Sequence, residues 1–358
     1  MQITIKTDEL KGAINKVVKG LGNNKLLPIT EMLGLNFVDK NLFLVSTDGS
    51  TKVQVKLELQ DKVDDFSFVV NGKSFTQLVS KTTTENITLN AEKDKLVVKG
   101  NGSYTFSFPT DEDGNLVIMN NIDTSNYENT EEVSAKEVLK SYEINKSSVA
   151  ETMETPEYTG FYFDEEGALT TNSLKISYFS NKVFTSKLLL AGKFLSLFSL
   201  FTEDNVKIYQ SNAEIVAETK NVSIQGYKMT EVTEFPISDI KPFLENDLPH
   251  KVRLNKKALL NLLERISVFV TPFDKNSIKI DFTKDGLKVW TLDGVNNELI
   301  PYTDSENVKE ETIKVDVVNF KDLVGSNPDD ELVIMYGNPS AIKMTFDDVS
   351  QVLALVGE

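Results

Sequence analysis

Three stretches decide how this chain folds: Thr7-Asp8-Glu9-Leu10 opening residues 7–20, Ser134-Ala135-Lys136-Glu137 opening residues 134–147, and Asn255-Lys256-Lys257-Ala258 opening residues 255–266. Each follows a short alternating segment and starts on a small polar residue, the pattern of a strand running into a capped helix. The openings lie roughly 120–130 residues apart, and a second helix-like run, marked by Phe75, Leu195 and Phe320, recurs at a similar interval. Two sets of landmarks with one period predict three tandem modules, 1–125, 126–248 and 249–358.

The first helix of each module is amphipathic. Leu10, Ile14, Val17 and Val18 share a face opposite Lys16 and Lys19; Ala135, Val138, Leu139 and Tyr142 lie opposite Lys136 and Lys140; Leu259, Leu262, Leu263 and Ile266 lie opposite Lys257, Asn261 and Arg265. Ser134 and Glu137 fit a capping box. In 71–82, Phe75, Leu78 and Val79 face inward and Lys73, Gln77 and Lys81 outward; 191–200 exposes Lys193, Ser196 and Ser199; in 316–325 Asp322 interrupts the basic face. Most of the remainder alternates as short strands, such as Thr51–Leu57 and Leu287–Trp290, with connectors near 110–130 and 229–250. The expected fold is α+β, with two helices per module packed on antiparallel sheets.

The chain of 358 residues carries a net charge of −16. The six helical segments nevertheless carry +6 (13 basic against 7 acidic residues), leaving −22 on the rest. Basic helices in an acidic protein suit diffuse contact with phosphate, which needs no base-reading groups, while the acidic surface discourages DNA elsewhere.

Catalytic patterns are absent. With no cysteine, thiolate chemistry and disulfides are excluded. The single histidine, His250, stands in a connector, and there is neither a Gly-x-Ser-x-Gly elbow nor a glycine-rich phosphate loop. Nothing singles out a carboxylate pair, and Asp111, Glu112 and Asp113 lack the length and final glutamate of a calcium loop. No metal, cofactor or catalytic residue is expected. Leu195-Ser196-Leu197-Phe198 resembles a groove-docking peptide but falls on a helix with a continuous apolar face, so core packing is expected. Met1–Lys6 lacks the apolar run of a signal peptide and no stretch is long enough to span a membrane, so a cytoplasmic protein without membrane contact is expected.

Leu27-Pro28-Ile29, Ser46-Thr47-Asp48-Gly49, Phe106-Ser107-Phe108-Pro109 and Glu234-Phe235-Pro236, in that order along the chain, resemble bacterial DNA polymerase III beta subunits, the sliding clamps. That resemblance implies a head-to-tail homodimer, a ring of six modules with helices lining the hole. Double-stranded DNA would then meet Lys16, Lys19, Lys25, Lys73, Lys81, Lys136, Lys140, Lys193, Lys257 and Arg265. It also implies a groove for short hydrophobic peptides of a DNA polymerase and a clamp loader, at Tyr158, Thr171, Ser173, Leu174, Lys175, Ile176, Pro236, Ile240, Lys241, Leu353, Ala354, Leu355 and Val356. Phe106 and Phe108 would meet Phe269 and Val270 of the other copy. The family's Thr-Asp-Gly-His-Arg-Leu becomes Thr171-Asn172-Ser173-Leu174-Lys175-Ile176 here, and its tail becomes Ala354-Leu355-Val356. These departures point to a phage or plasmid member serving a different polymerase. Two other readings remain: a tandem β-rich binding protein, or an acidic hydrolase with a carboxylate pair.

Overall fold

The computed structural model describes residues 1–357 other than Asp61, Glu128, Pro272, Asp274 and Lys275. Among them one motif recurs six times: a strand runs directly into a helix, and three antiparallel strands follow. The first copy is β1 (Gln2–Lys6), α1 (Thr7–Val17), β2 (Met32–Val38), β3 (Asn41–Thr47) and β4 (Thr51–Glu58). The second is β5 (Phe66–Asn71), α2 (Gly72–Lys81), β6 (Asn86–Ala91), β7 (Lys95–Lys99) and β8 (Ser103–Ser107). The third is β9 (Asn129–Ser134), α3 (Ala135–Asn145), β10 (Gly160–Phe163), β11 (Ala168–Thr171) and β12 (Lys175–Phe179). The fourth is β13 (Leu188–Ala191), α4 (Gly192–Ser196), β14 (Asn205–Gln210), β15 (Glu214–Glu218) and β16 (Val222–Tyr227). A separate helix, α5 (Ile237–Glu245), precedes the fifth copy: β17 (His250–Asn255), α6 (Lys256–Ser267), β18 (Ser277–Phe282), β19 (Leu287–Thr291) and β20 (Asn297–Ile300), with a short β21 (Asp304–Glu306). The sixth is β22 (Glu311–Asp316), α7 (Val317–Ser326), β23 (Glu331–Tyr336), β24 (Ala341–Phe346) and β25 (Val349–Ala354). The helix starts lie roughly 60 residues apart, so the period legible in the sequence is twice the structural repeat.

Asn71, Asn255 and Asp316 close the strand-to-helix corners: their side chains accept the N–H of Ser74, Ala258 and Asn319 at 2.9, 2.9 and 2.8 Å. Thr7 is different. It is the first helical residue, its side chain is buried, and α1 starts without a side-chain cap. The Ser134 hydroxyl donates to Asp204 Oδ1 at 2.9 Å, and Glu137 accepts from Asn181 Nδ2 at 2.7 Å, tying both to neighbouring segments. The apolar stripes are buried as expected at Leu10, Ile14, Val17, Phe75, Val79 and Leu259, Leu262, Leu263 and Ile266. Val18 is an exception, since the chain tightens into a 3-10 turn at Val18–Gly20 and leaves it exposed. The 229–250 stretch is more than a connector, because Ile237, Ile240 and Leu244 share the face of α5 that docks on a sheet. Leu195, Leu197 and Phe198 are core residues, as expected.

The chain forms two compact units, Met1–Ala135 with Lys193–Lys228, and Lys136–Gly192 with Met229–Glu358; the division passes through the expected middle module. The first unit holds a four-stranded sheet, β1-β6-β7-β8, and an eight-stranded sheet, β5-β2-β3-β4-β16-β15-β14-β9. The second holds β20-β19-β18-β22 and a nine-stranded sheet, β13-β10-β11-β12-β25-β24-β23-β17-β21. Each wide sheet is two smaller ones joined edge to edge by an antiparallel seam, β4 to β16 in one unit and β12 to β25 in the other.

The two seams differ in what they turn toward the helices and what they turn outward. In the first, Val53 and Val55 lie opposite Ile224 and Val222, all buried on the face that α1 covers. Its other face is polar: Gln54 Oε1 accepts from Ile122 N–H at 2.9 Å, and Gln225 donates to the Tyr127 hydroxyl at 3.3 Å. Burial, reinforced by the Glu214 carboxylate that accepts the Tyr127 hydrogen at 2.8 Å, pushes that phenol up to about 12. In the second seam the helix-facing side mixes buried Leu353, Phe179 and Val349 with three polar residues, Lys175, Ser177 and Gln351. Lys175 Nζ pairs with Asp322 of α7 at 3.0 Å, Ser177 meets Ser148 at 2.8 Å, and Gln351 Nε2 donates to Ser326 Oγ at 2.8 Å. Its other face carries Ile176, Tyr178 and Val352.

Replacing Asn255 by alanine should destabilise the protein by about 1 kcal/mol in denaturant titration, through loss of the α6 cap. Asp322→Ala should cost more, about 2 kcal/mol, because it strands a buried ammonium beside a half-exposed vacancy; Lys175→Met in the same background should restore most of the loss.

Candidate docking surface and basic helix faces

Along the apolar face of the β12–β25 seam lies α5. Ile240 joins Phe235, Tyr162, Leu169 and Leu189 in a buried cluster, with Ile176, Tyr178, Ile237 and Leu244 packed against it. A cavity opens on each side of this helix. One is lined by Tyr162, Leu169, Tyr178, Ile237, Leu244 and Ser350, with Asp164, Glu166, Glu245 and Lys241 around it. The other is lined by Pro242, Phe243, Leu248, Asn338, Ala341, Ile342 and Val352. Lys343 on β24 is buried and donates from Nζ to the backbone oxygens of Leu244 and, at 3.3 Å, Asn246. Its charge therefore sits where the exposed carbonyls at the end of α5 concentrate negative potential. Sequence reasoning missed Lys343; the one available signal was a lysine inside the apolar run Ala341–Met344.

Of the residues expected at a partner groove, Ile176 and Ile240 pack in this cluster, Lys241 lines the first cavity and Pro236 immediately precedes α5. Tyr158 sits edge-on to Phe235, 6.4 Å between ring centres. Thr171, Ser173 and Leu174 form a tight turn: Thr171 Oγ1 donates to Lys175 O at 2.9 Å, Ser173 takes φ 74°, and Leu174 projects half-exposed. Ala354 N–H bonds Leu174 O at 2.9 Å, and Val356 N–H bonds Lys314 O at 2.9 Å. Lys175, Leu353 and Leu355 do not line the groove. Lys175 points to the helix side, Leu353 is buried in the core that contains Leu259 and Phe320, and Leu355 packs against that core. Successive strand residues face opposite ways, so the contiguous runs 173–176 and 353–356 cannot all line one surface. The Glu166 carboxylate, 2.8 Å from Lys241 Nζ, holds that ammonium above the usual lysine range. Burial raises the phenols of Tyr162 and Tyr178.

The expected DNA contacts lie on the helices and the loop before Pro28. In the first unit Lys19, Lys25, Lys73, Lys81 and Lys193 are exposed and Lys16 is half-buried. Lys193 Nζ donates to Lys19 O at 2.9 Å, which brings the ends of two basic segments together. In the second unit Lys136, Lys140 and Lys257 are exposed; Lys140 Nζ lies 4.8 Å above the Phe179 ring. Arg265 is committed elsewhere, its Nε donating to Glu298 Oε2 of β20 at 3.0 Å.

At the expected contact between copies, Phe106 is partly exposed and edge-on to Phe75 at 5.7 Å. Phe108 is different: it stacks on Phe68 at 4.2 Å and belongs to the core, because the chain has already left β8 and turned inward. Phe269 is exposed beside exposed Val268 and Phe273, while Val270 packs partly against the core.

His250 lies on β17, with Nδ1 2.6 Å from Asn307 O. Among the described residues, no three histidine or carboxylate side chains are grouped to hold a metal ion, and no helix is long and apolar enough to cross a membrane.

Residues 1–116 match the family model of the DNA polymerase III beta subunit, N-terminal domain. No curated protein sequence matches the chain. Among solved structures it is similar to the beta subunit from Thermotoga maritima, at 17% identity and TM-score 0.85 over 100% of this chain and 99% of that one. It is also similar to the beta subunit from Streptococcus pyogenes, at 15% identity and TM-score 0.87 over 100% of both chains. A third likeness is to the Pseudomonas aeruginosa sliding clamp bound to griselimycin, at 15% identity and TM-score 0.87 over 100% of both. The chain thus has the fold of bacterial DNA polymerase III beta subunits over its whole length, and its first 116 residues carry the sequence pattern of that family's N-terminal domain.

Proposed function

We propose that this protein is a sliding clamp, a non-enzymatic processivity factor that encircles duplex DNA and tethers a polymerase to it. In this reading it has three modules with boundaries near 125 and 248, and two copies close head to tail into a ring.

The observation that carries the reading is a pair of unpaired strand edges. Within the chain, the last strand of an odd-numbered repeat pairs with the last strand of an even-numbered one: β4 with β16, and β12 with β25. The corresponding strands left over are β20 and β8, each at the end of a four-stranded sheet. An exposed edge is a template for another chain. Joining β20 of one copy to β8 of another, twice, completes two more seams of the same kind and satisfies two-fold symmetry. Exposed Phe269 and Leu299 and partly exposed Phe106 supply apolar area beside those edges.

The helices supply the charge for DNA. Lys19, Lys25, Lys73, Lys81, Lys193 and Lys257 form no ion pair among the described residues. Flexible point charges without base contacts attract phosphate while fixing no register, so a ring can slide. Partner peptides of the polymerase and loader dock on the apolar surface around α5.

Changing Lys19, Lys73 and Lys257 together to Glu should leave the dimer mass unchanged and shorten retention on nicked circular DNA by about tenfold or more. Equal retention would remove the basic faces from the mechanism. Phe269→Asp with Leu299→Lys should give a monomer by light scattering; a persistent dimer would rule out pairing through β20.

A further inference from the structure

We propose that the cavity between α5 and the outer face of β10–β12 receives a lysine or arginine side chain from the docking peptide, whose apolar residues lie on the adjoining surface of α5 and β25. This deepens the clamp reading by naming the chemistry of its partner segment. The floor is apolar, formed by Leu169, Ile237 and Leu244 with the Tyr178 ring. The rim carries three carboxylates, Asp164, Glu166 and Glu245, against one cation, Lys241, which is already bound to Glu166 at 2.8 Å. Asp164 Oδ1 accepts the N–H groups of Glu166 at 2.8 Å and Gly167 at 3.2 Å. Those bonds orient its carboxylate without bringing a countercharge. Neither Asp164 nor Glu245 has an ion-pair partner among the described residues.

Tyr162 supplies the independent sign of a guest. It is 3% exposed and lines the cavity, and its hydroxyl has no hydrogen-bond partner among the described residues. The Tyr178 hydroxyl, by contrast, donates to Glu166 O at 3.0 Å. The Tyr162 hydroxyl opens into the cavity, where its oxygen can accept from an ammonium or guanidinium N–H. An anionic side chain would meet three carboxylates against the single Lys241 ammonium, and a wholly apolar one would leave the hydroxyl without a partner.

The test uses fluorescence anisotropy with two labelled peptides that share a Leu-Phe pair and differ at one neighbouring position, Arg or Glu. The intact chain should bind the Arg peptide about tenfold more tightly, a preference that shrinks at high salt. In Asp164→Asn with Glu245→Gln the ratio should fall close to one, since Asn keeps the turn acceptor. Tyr162→Phe should weaken the Arg peptide alone. Glu245→Gln by itself, at an exposed site, reports the charge effect if the double variant folds poorly. Equal binding of both peptides to the intact chain overturns the charge inference and leaves docking intact; binding of neither overturns both. Retention on circular DNA reports the clamp reading separately.

Discussion

Backbone groups at a sheet edge need partners, and the architecture follows from how this chain supplies them. Each wide sheet exists because two four-stranded halves, distant in sequence, meet through one antiparallel seam. The seam matches strands at equivalent places in the repeat, so one pairing rule builds both units. The same rule accounts for the strands left over. β8 and β20 are unpaired for want of a third and fourth seam, which a single chain of this topology has no further strand to make.

The two seams differ most in the side they turn away from the helices. Facing the helices, the β4–β16 seam is sealed by valine and isoleucine, and its outer side is a satisfied polar surface. The β12–β25 seam places Lys175, Ser177 and Gln351 under α7 and the 3-10 turn that follows α3, where they meet Asp322, Ser148 and Ser326, and turns Ile176, Tyr178 and Val352 outward. That outward apolar strip is partly covered by α5, whose last carbonyls are held by the buried Lys343 ammonium. The inner side has a consequence for specificity, because the buried Lys175 ammonium of β12 is satisfied only where α7 brings Asp322 to it. Asp322 interrupts the basic face of its helix for this reason.

Charge in this protein is divided by element. Lysines outnumber carboxylates on the helical segments, the two signs nearly balance on the strands, and carboxylates dominate the connectors. Arg265, one of only two arginines, is engaged with Glu298, so the free cations are lysines. A surface of that kind attracts a polyanion without fixing it, and the acidic remainder repels one.

The sequence by itself determined the helices, the cap at Asn255, the α+β class and the basic helical faces, since each depends on periodicity or on residues within one turn of each other. It showed a period of about 120 residues where the structure has a half-repeat of about 60, because the two halves of a module share geometry and little side-chain pattern. Only the tertiary structure decided which strands meet. Whether Lys175 faces a groove or a helix, whether Phe108 is interface or core, and whether residues 237–245 are linker or docking helix all depend on what lies across a seam. Those contacts join positions up to about 180 residues apart, and no local pattern encodes them.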